Sequence, residues 1–256
     1  MINISTILEL LLELWYLLPI VIIIAFFRTP IGKGIIGEFL VNSSAKLKLD
    51  KNKYHIIKDV TLPTEDGTTQ IDHIIVSKYG IFVVETKNMK GWIFGNEKQK
   101  YWTQKIFKHT TKFQNPLHQN YKHIKTLQNA LGIEKDKIFS VIVFTGDSTF
   151  KTPMPKNVVH GIKYIDYIKS KNQKIITKEK VNEIISIIES DRLSRSFKTY
   201  KEHINHVNNI VKEKEQNLCP KCKNKLVLRT VKRGENIGKE FLGCSNYPKC
   251  RYIRAI

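Results

Sequence analysis

Cysteine is nearly absent from this chain: four occur in 256 residues, all within the last forty. Disulfides therefore do not staple the body of the protein, and the four form one local device in a reducing environment. Acidic residues are also short, 23 Asp and Glu against 43 Lys and Arg, leaving a formal charge of +20. That field excludes strongly cationic partners and favours polyanions, either nucleic acid or an anionic membrane surface. Basic composition also accompanies AT-rich coding sequence, so the charge needs motifs beside it. Met1 to Leu8 holds no Lys or Arg, and Ala25-Phe26-Phe27 offers no small-x-small cleavage site. Both absences argue against a cleaved secretory leader. No internal repeat or strongly biased segment is found, and the length allows one ordinary core domain with one or two small modules.

The chain does carry one long apolar run, Leu10 to Phe27, broken only by Glu13 and Pro19. Its 18 residues meet the lower limit for crossing a bilayer. Arg28 and Lys33 follow it while Glu9 and Glu13 precede or enter it, so the loop-charge rule puts the C-terminal body in the cytoplasm, below a single-pass anchor in the cell membrane. Trp15 and Tyr16 suit the outer interface. The competing reading, a buried or interfacial helix, rests on Glu13 and Pro19.

Beyond Gly32 the pattern becomes globular. Ile35, Ile36, Phe39, Leu40 and Leu47 recur at helical spacing and predict a helix over about Lys33 to Leu49. Tyr54 to Thr61 predicts a strand. Gln70 to Val76 and Ile81 to Thr86 predict a hairpin, and Gly91 to Phe94 with Tyr101 to Lys105 a shorter one. Asn115 to Leu131 has helical period and stops at Gly132; Phe139 to Phe144 reads as a short buried strand. The expected fold is α/β, a mixed sheet between helices. Four segments result: an anchor over 1–30, a main domain over 31–165, a helical extension and linker over 166–216, and a cysteine module over 217–256.

The first hairpin carries the chemistry. With a two-residue Lys78-Tyr79 turn, Asp72 lies opposite Glu85 on one face, their Cβ atoms about 4.5–5.5 Å apart, near enough to share a hard cation. Lys87, two residues past Glu85, points to the same side. A longer turn or a bulge would shift this register. Lone charges in such apolar strands are costly to bury unless paired or bound to metal, so an ion pair without catalysis is the structural alternative. His55 and His73 read as structural strand histidines. Trp92, Tyr101 and Trp102 suit either core packing or stacking on bases.

Asp72 followed by Glu85-Thr86-Lys87 resembles the Asp...Glu-x-Lys signature of the PD-(D/E)xK nuclease superfamily. GIIGEFLV (34–41), QIDHIIVSKYGIFVVETKN (70–88), Gly91-Trp92 and NPLHQNYKHI (115–124) together resemble the nuclease-related domain, NERD, over about 31–150. The resemblance implies a restriction-endonuclease-like mixed sheet flanked by helices. It also implies an active-site set of Glu38, Asp72, Glu85, Lys87 and Gln119, with Mg²⁺ or Mn²⁺ held by Asp72 and Glu85. Ile71 stands where the wider superfamily has Pro, a departure that touches backbone geometry more than ligand supply.

Cys219-Pro220-Lys221-Cys222 and the Cys244, Cys250 pair form two knuckle-like halves separated by the β-type stretch Leu226 to Gly243. Four thiolates in two close pairs suit a closed tetrahedral Zn²⁺ site that supplies most of the module's folding free energy. CPKCKNKLVLRT and GKEFLGCSNYPKCRYIR resemble the zinc ribbons of bacterial type I topoisomerases, which implies binding of single-stranded DNA. Lys221, Lys223, Lys225, Arg229, Lys249 and Arg251, with Lys232 and Arg233, supply the basic footprint, and Phe241, Tyr247 and Tyr252 are either stacking platforms or a small core. The expected function is a membrane-anchored, Mg-dependent nuclease acting on DNA. The alternative is a catalytically inactive, membrane-tethered DNA-binding or recruitment protein.

Overall fold

The computed structural model describes residues 14–64, 67–193, 218–231, 238 and 240–255. The chain divides into two compact units between Ser194 and Arg195. In the first, a 3-10 turn over Leu14–Leu17 leads into α1 (Leu18–Arg28), whose apolar side chains are exposed, Ile22 at 63%. Thr29 then caps α2 (Pro30–Lys48), its hydroxyl accepting from Gly32 N at 3.1 Å, and Pro30 fills a first-turn position that needs no N–H. This cap starts the helix three residues ahead of the expected Lys33 and bends the chain by 80° between α1 and α2. Among the described residues no single helix is long and apolar enough to cross a membrane; α1 and α2 pass only as a bent pair. Residues 10–13 of the apolar run lie outside the described residues.

Five strands form the main sheet in the order β1 (Tyr54–Thr64), β2 (Gly67–Ser77), β3 (Gly80–Asn88), β7 (Ile138–Thr145), β9 (Val158–His160). The first three pair antiparallel and the last two add in parallel, which gives the mixed sheet expected. A second sheet, ordered β6 (His109–Gln114), β5 (Tyr101–Ile106), β4 (Gly91–Phe94), β8 (Ser148–Phe150), grows from the end of β3. Helix α3 (Pro116–Leu131) starts at the Asn115 cap and ends at Gly132 with φ 59°. Helices α4 (Lys163–Ser170) and α5 (Lys178–Asp191) complete the unit. The strands β6, β8 and β9 and helix α4 escaped the sequence pattern because each is short or, like β6, almost wholly polar and exposed.

The helices cover the main sheet on both faces. Ile124, Leu127 and Leu131 of α3 and Val181, Ile184 and Ile188 of α5 pack with Ile74, Val76 and Val83. On the opposite face Val41 and Ala45 of α2 and Tyr164, Ile165 and Ile168 of α4 pack with Ile75, Phe82 and Val84. The apolar side of α5 thus belongs to this core; residues 194–217 beyond it lie outside the described residues.

The β2–β3 register follows from its turn. Ser77 pairs with Gly80 across Lys78-Tyr79, and Ser77 Oγ accepts from Tyr79 N and donates to Gly80 O, both at 3.1 Å. Gly80 has φ 134°, where a Cβ would also fall 2.5 Å from the Phe139 ring, so glycine is required. Gly37 serves a different end: α2 crosses the sheet so closely that a Cβ there would meet Thr145 Oγ1 at 2.8 Å and Asn88 Cβ at 3.0 Å. That approach delivers the next residue, Glu38, to the sheet end. Gly37→Val is expected to push α2 outward and destabilise the protein by about 1–3 kcal/mol, as overpacking does, and thermal denaturation checks this.

Candidate active site and zinc ribbon

The hairpin register places three carboxylates in one transverse row. Pairs run from Ser77↔Gly80 to His73↔Val84, so the next step sets Asp72 opposite Glu85, as the two-residue turn predicts. On the other flank Lys58 pairs with His73 and Val60 with Ile71, which sets Asp59 opposite Asp72. Both ladders break at this row. Asp59 has φ 51°, and Asp72 Oδ2 instead accepts from Thr86 N at 2.7 Å.

Lys87 bridges strand to helix, donating from Nζ to Glu85 Oε1 at 2.6 Å and Gln119 Oε1 at 2.9 Å. Helix α3 is pinned behind them by buried Asn120, whose Nδ2 donates to Val83 O and Ser140 Oγ, each at 2.8 Å. One turn past Gln119, His123 is buried with Nδ1 2.8 Å from Thr69 Oγ1 and Nε2 3.3 Å from Glu85 Oε2. That last contact falls short of a hydrogen bond, so Glu85 Oε2 is a buried acceptor without one. A cavity of about 290 Å³ opens beside the row, lined by Glu38, Phe39, Asn42, Asp59 and His73 among others. A larger one, about 630 Å³, is lined by Lys53, Lys78, Lys174 and Lys178 with no carboxylate, which rules it out as a cation site.

All five residues expected from sequence therefore come to one sheet end: Asp72, Glu85 and Lys87 on strands, Gln119 on α3, Glu38 on α2. Two neighbours were missed. His123 was legible, because it stands four residues after Gln119 on the same helical face. Asp59 was not, since only its positive φ and a register set across three strands bring it to the row.

Burial dominates the electrostatics. It raises the Asp72 carboxyl well above its ordinary value, reinforced by Glu85 and Glu38. Burial, with Asp59 and Glu85 nearby, raises Glu38 to about 7. At Glu85 burial also pushes upward, but Lys87 and His123 outweigh it and the carboxyl sits below its usual range. Burial pulls Lys87 down, yet Glu85 prevails and the ammonium is held above its usual value. His73 drops to about 4 through burial, so it is a neutral structural histidine. Paired buried carboxylates, one with an unbonded oxygen, form the oxygen-donor set that a hard divalent cation takes.

The second unit is built around cysteine. Strands β10 (Leu226–Thr230), β11 (Glu240–Cys244) and β12 (Ile253–Ala255) form an antiparallel sheet. The sulfurs of Cys219, Cys222, Cys244 and Cys250 all lie within 4.8 Å of one another, with Cys219–Cys250 at 3.7 Å and Cys222–Cys244 at 3.3 Å. A tetrahedron with Zn–S bonds of about 2.3 Å has edges near 3.8 Å, so the set fits Zn²⁺. Asn224 hydrogen bonds lower the Cys222 thiol and burial raises that of Cys244, and a bound cation would favour the thiolate form. Tyr252 packs on this cysteine core, whereas Tyr247 is 59% exposed with Arg229 lying 5.7 Å over its ring. Lys232 and Arg233 lie outside the described residues.

Comparison with known proteins gives both modules a class. Residues 33–145 match the nuclease-related domain, and residues 216–256 match the topoisomerase DNA-binding C4 zinc finger. The chain thus joins a nuclease-related domain to a DNA-binding type of zinc ribbon. An uncharacterized protein of Bacillus anthracis is 53% identical over 102 residues, 40% of this chain and 48% of that protein. DNA topoisomerase 1 of Mycoplasma genitalium is 46% identical over 50 residues, 19% of this chain and 7% of the enzyme. DNA topoisomerase 1 of Helicobacter pylori strain J99 is 42% identical over 50 residues, 20% of this chain and 6% of the enzyme. The chain spans about half the length of the first relative and a small fraction of the topoisomerases.

The raised Glu38 group yields a test with a definite sign. Its folded value exceeds the unfolded one, so the native state holds an extra proton between about pH 4.5 and 7 and stability falls as pH rises through that window. Glu38→Gln removes the cost of ionisation at pH 8 but changes little at pH 5, where Glu38 is already protonated. Glu38 is only half-buried, so the expected gain at pH 8 without added divalent cation is discounted to about 1 kcal/mol, or about 2–4 °C in melting temperature.

Proposed function

We propose that the protein is a membrane-anchored, metal-dependent nuclease that hydrolyses DNA phosphodiester bonds, with Asp72 and Glu85 holding Mg²⁺ or Mn²⁺. The observation that carries this reading is the buried row of carboxylates closed by a cationic lysine. Bound there, the divalent cation would neutralise the scissile phosphate and acidify a water. Lys87 stays protonated, so it acts as a fixed charge and not as a base. Two of its three N–H donors are engaged by Glu85 and Gln119, leaving one for the charge that builds on phosphorus. Gln119 aims the lysine, and Thr86 N holds Asp72 by one oxygen, leaving the other for the cation. Glu38 supports the site from α2 as a ligand or water positioner. The ribbon, with Zn²⁺ in its four cysteines, serves as a DNA clamp.

The decisive experiment is plasmid nicking by the full chain with Mg²⁺ or Mn²⁺. Asp72→Ala and Lys87→Ala should each lower the rate by at least about 10²-fold, the usual loss for one electrostatic contributor. Equal activity in both variants would overturn the assignment, and binding without cleavage by the wild type would favour the inactive recruitment reading.

The anchor is supported by the exposed apolar surface of α1 and by Arg28 and Lys33 at its C-terminal side. Residues 10–27 would hold the chain in the cell membrane with its body in the cytoplasm. Removal of residues 1–28 should shift the protein from the membrane pellet to the soluble fraction; full-length protein that is already soluble without detergent would refute the anchor.

A further inference from the structure

The second sheet has two unlike faces. Ile93, Trp102 and Phe113 turn inward, with the fully buried Trp102 ring stacked on Phe144 at 6.2 Å. The outer face shows cross-strand rows of Trp92–Lys105–Thr110 and Phe94–Thr103–Lys112. Trp92 is 47% exposed, and it gathers charge: Lys151 Nζ lies 4.6 Å and Lys105 Nζ 5.9 Å from its ring centre. Tyr101 holds Lys100 in the same manner at 5.5 Å. Residues 98–114 contain five lysines and no Asp or Glu, and the next acid in sequence is Glu134. The face is therefore uniformly cationic along its strands.

The hairpin between β5 and β6 ends in Phe107, 92% exposed with φ 50°. A large apolar ring at the free tip of a polar hairpin contributes nothing to the core. It is flanked by Lys105 and Lys108. The sheet is also tied to the catalytic row at both ends: β4 begins four residues after Lys87, and β6 ends five residues before Gln119. Asn115 locks that junction, its Nδ2 donating to the carbonyls of Asn96, Glu97 and Gln99 while its side chain caps α3.

We propose that this outer face docks duplex DNA beside the active site, its lysines lying on phosphates and Phe107 wedging between base pairs at the hairpin tip. The proposal rests on the DNA-directed reading above and deepens it by naming the duplex form. Single-strand platforms offer free aromatic faces for successive bases. Here Trp92 and Tyr101 are engaged by ammonium groups, so they position charge, and the exposed ring free of such a partner is at the tip. Flat positioned charge with one protruding apolar side chain matches a phosphate-tracked duplex whose base step is opened by a wedge. An anionic membrane would be met through the apolar α1 surface and does not need this face.

The test uses full-length protein in detergent without added divalent cation, so that binding is read without cleavage. Anisotropy of a labelled duplex is followed against salt for wild type and for a Lys105→Gln, Lys112→Gln, Lys151→Gln triple variant, all at exposed positions that leave the core intact. Losing three phosphate contacts should reduce the slope of log K against log salt by about 2.7. Phe107→Ala should weaken duplex binding about tenfold and abolish the fluorescence rise of a 2-aminopurine placed at the opened step. Unchanged slope and unchanged 2-aminopurine signal in these variants would overturn the proposal. So would a triple variant that loses affinity for phosphatidylserine vesicles while duplex binding persists. Nicking with Mg²⁺ is scored separately: absent cleavage with lysine-dependent duplex binding defeats the nuclease reading alone, and persistent cleavage with unaltered binding defeats the platform alone.

Discussion

Four carboxylates meet where the β2–β3 ladder ends and the β1–β2 ladder is interrupted by one missing pair, and their mutual repulsion in a partly desolvated place is the constraint around which the first unit is organised. Asp59, Asp72 and Glu85 come from adjacent strands, and Glu38 descends on them from α2. Water screens such charges only in part once the helices cover the sheet, least of all at the buried Glu85. The chain offsets the repulsion in three ways: Lys87 is driven onto Glu85, His123 is set against the other oxygen, and the carboxyls of Asp72 and Glu38 are raised above their ordinary values by burial. A divalent cation would relieve the remainder, and this is why the arrangement reads as a metal site more readily than as a structural ion pair.

The same region shows how one helix serves two ends. Helix α2 buries Val41 and Ala45 against the sheet, and Gly37 lets it come close enough for Glu38 to reach the acidic row. Its start is set by Thr29 and Pro30, and that start turns the exposed apolar α1 away by 80°. The exposed apolar helix α1 and the Glu38 carboxylate are thus separated by less than three turns of helix. The second unit obeys different physics. Its strands are short and its core among the described residues is little more than four cysteines with Leu226, Leu242 and Tyr252, so a metal held by those thiols would supply much of its folding free energy.

Much of this was readable from residues in order. The β2–β3 hairpin was legible because a two-residue turn admits one register, and that register alone sets Asp72 against Glu85 and Lys87 two steps on. Helix α3 was legible from its Asn115 start, its apolar period and its Gly132 stop. The cysteine spacing was legible because thiolate pairs must close on one ion. Trp102 was ambiguous, and only the inner face of the second sheet decided it as core; Trp92 and Tyr101, on the outer face, stayed exposed. The strand over 109–114 was hidden because its polar, exposed residues carry no alternation to detect.

The order of amino acids by itself determined which groups exist, their spacing within each element, and the local stops and turns, because those depend on contacts a few residues apart. Tertiary structure decided what meets across long separations. It brought Asp59 into the carboxylate row, set His123 against Glu85, placed Glu38 beside acids more than twenty residues away in the chain, and turned a lysine-rich hairpin into one face of a sheet. None of these pairings is encoded by periodicity, since each follows from how sheets and helices pack once their apolar faces are buried.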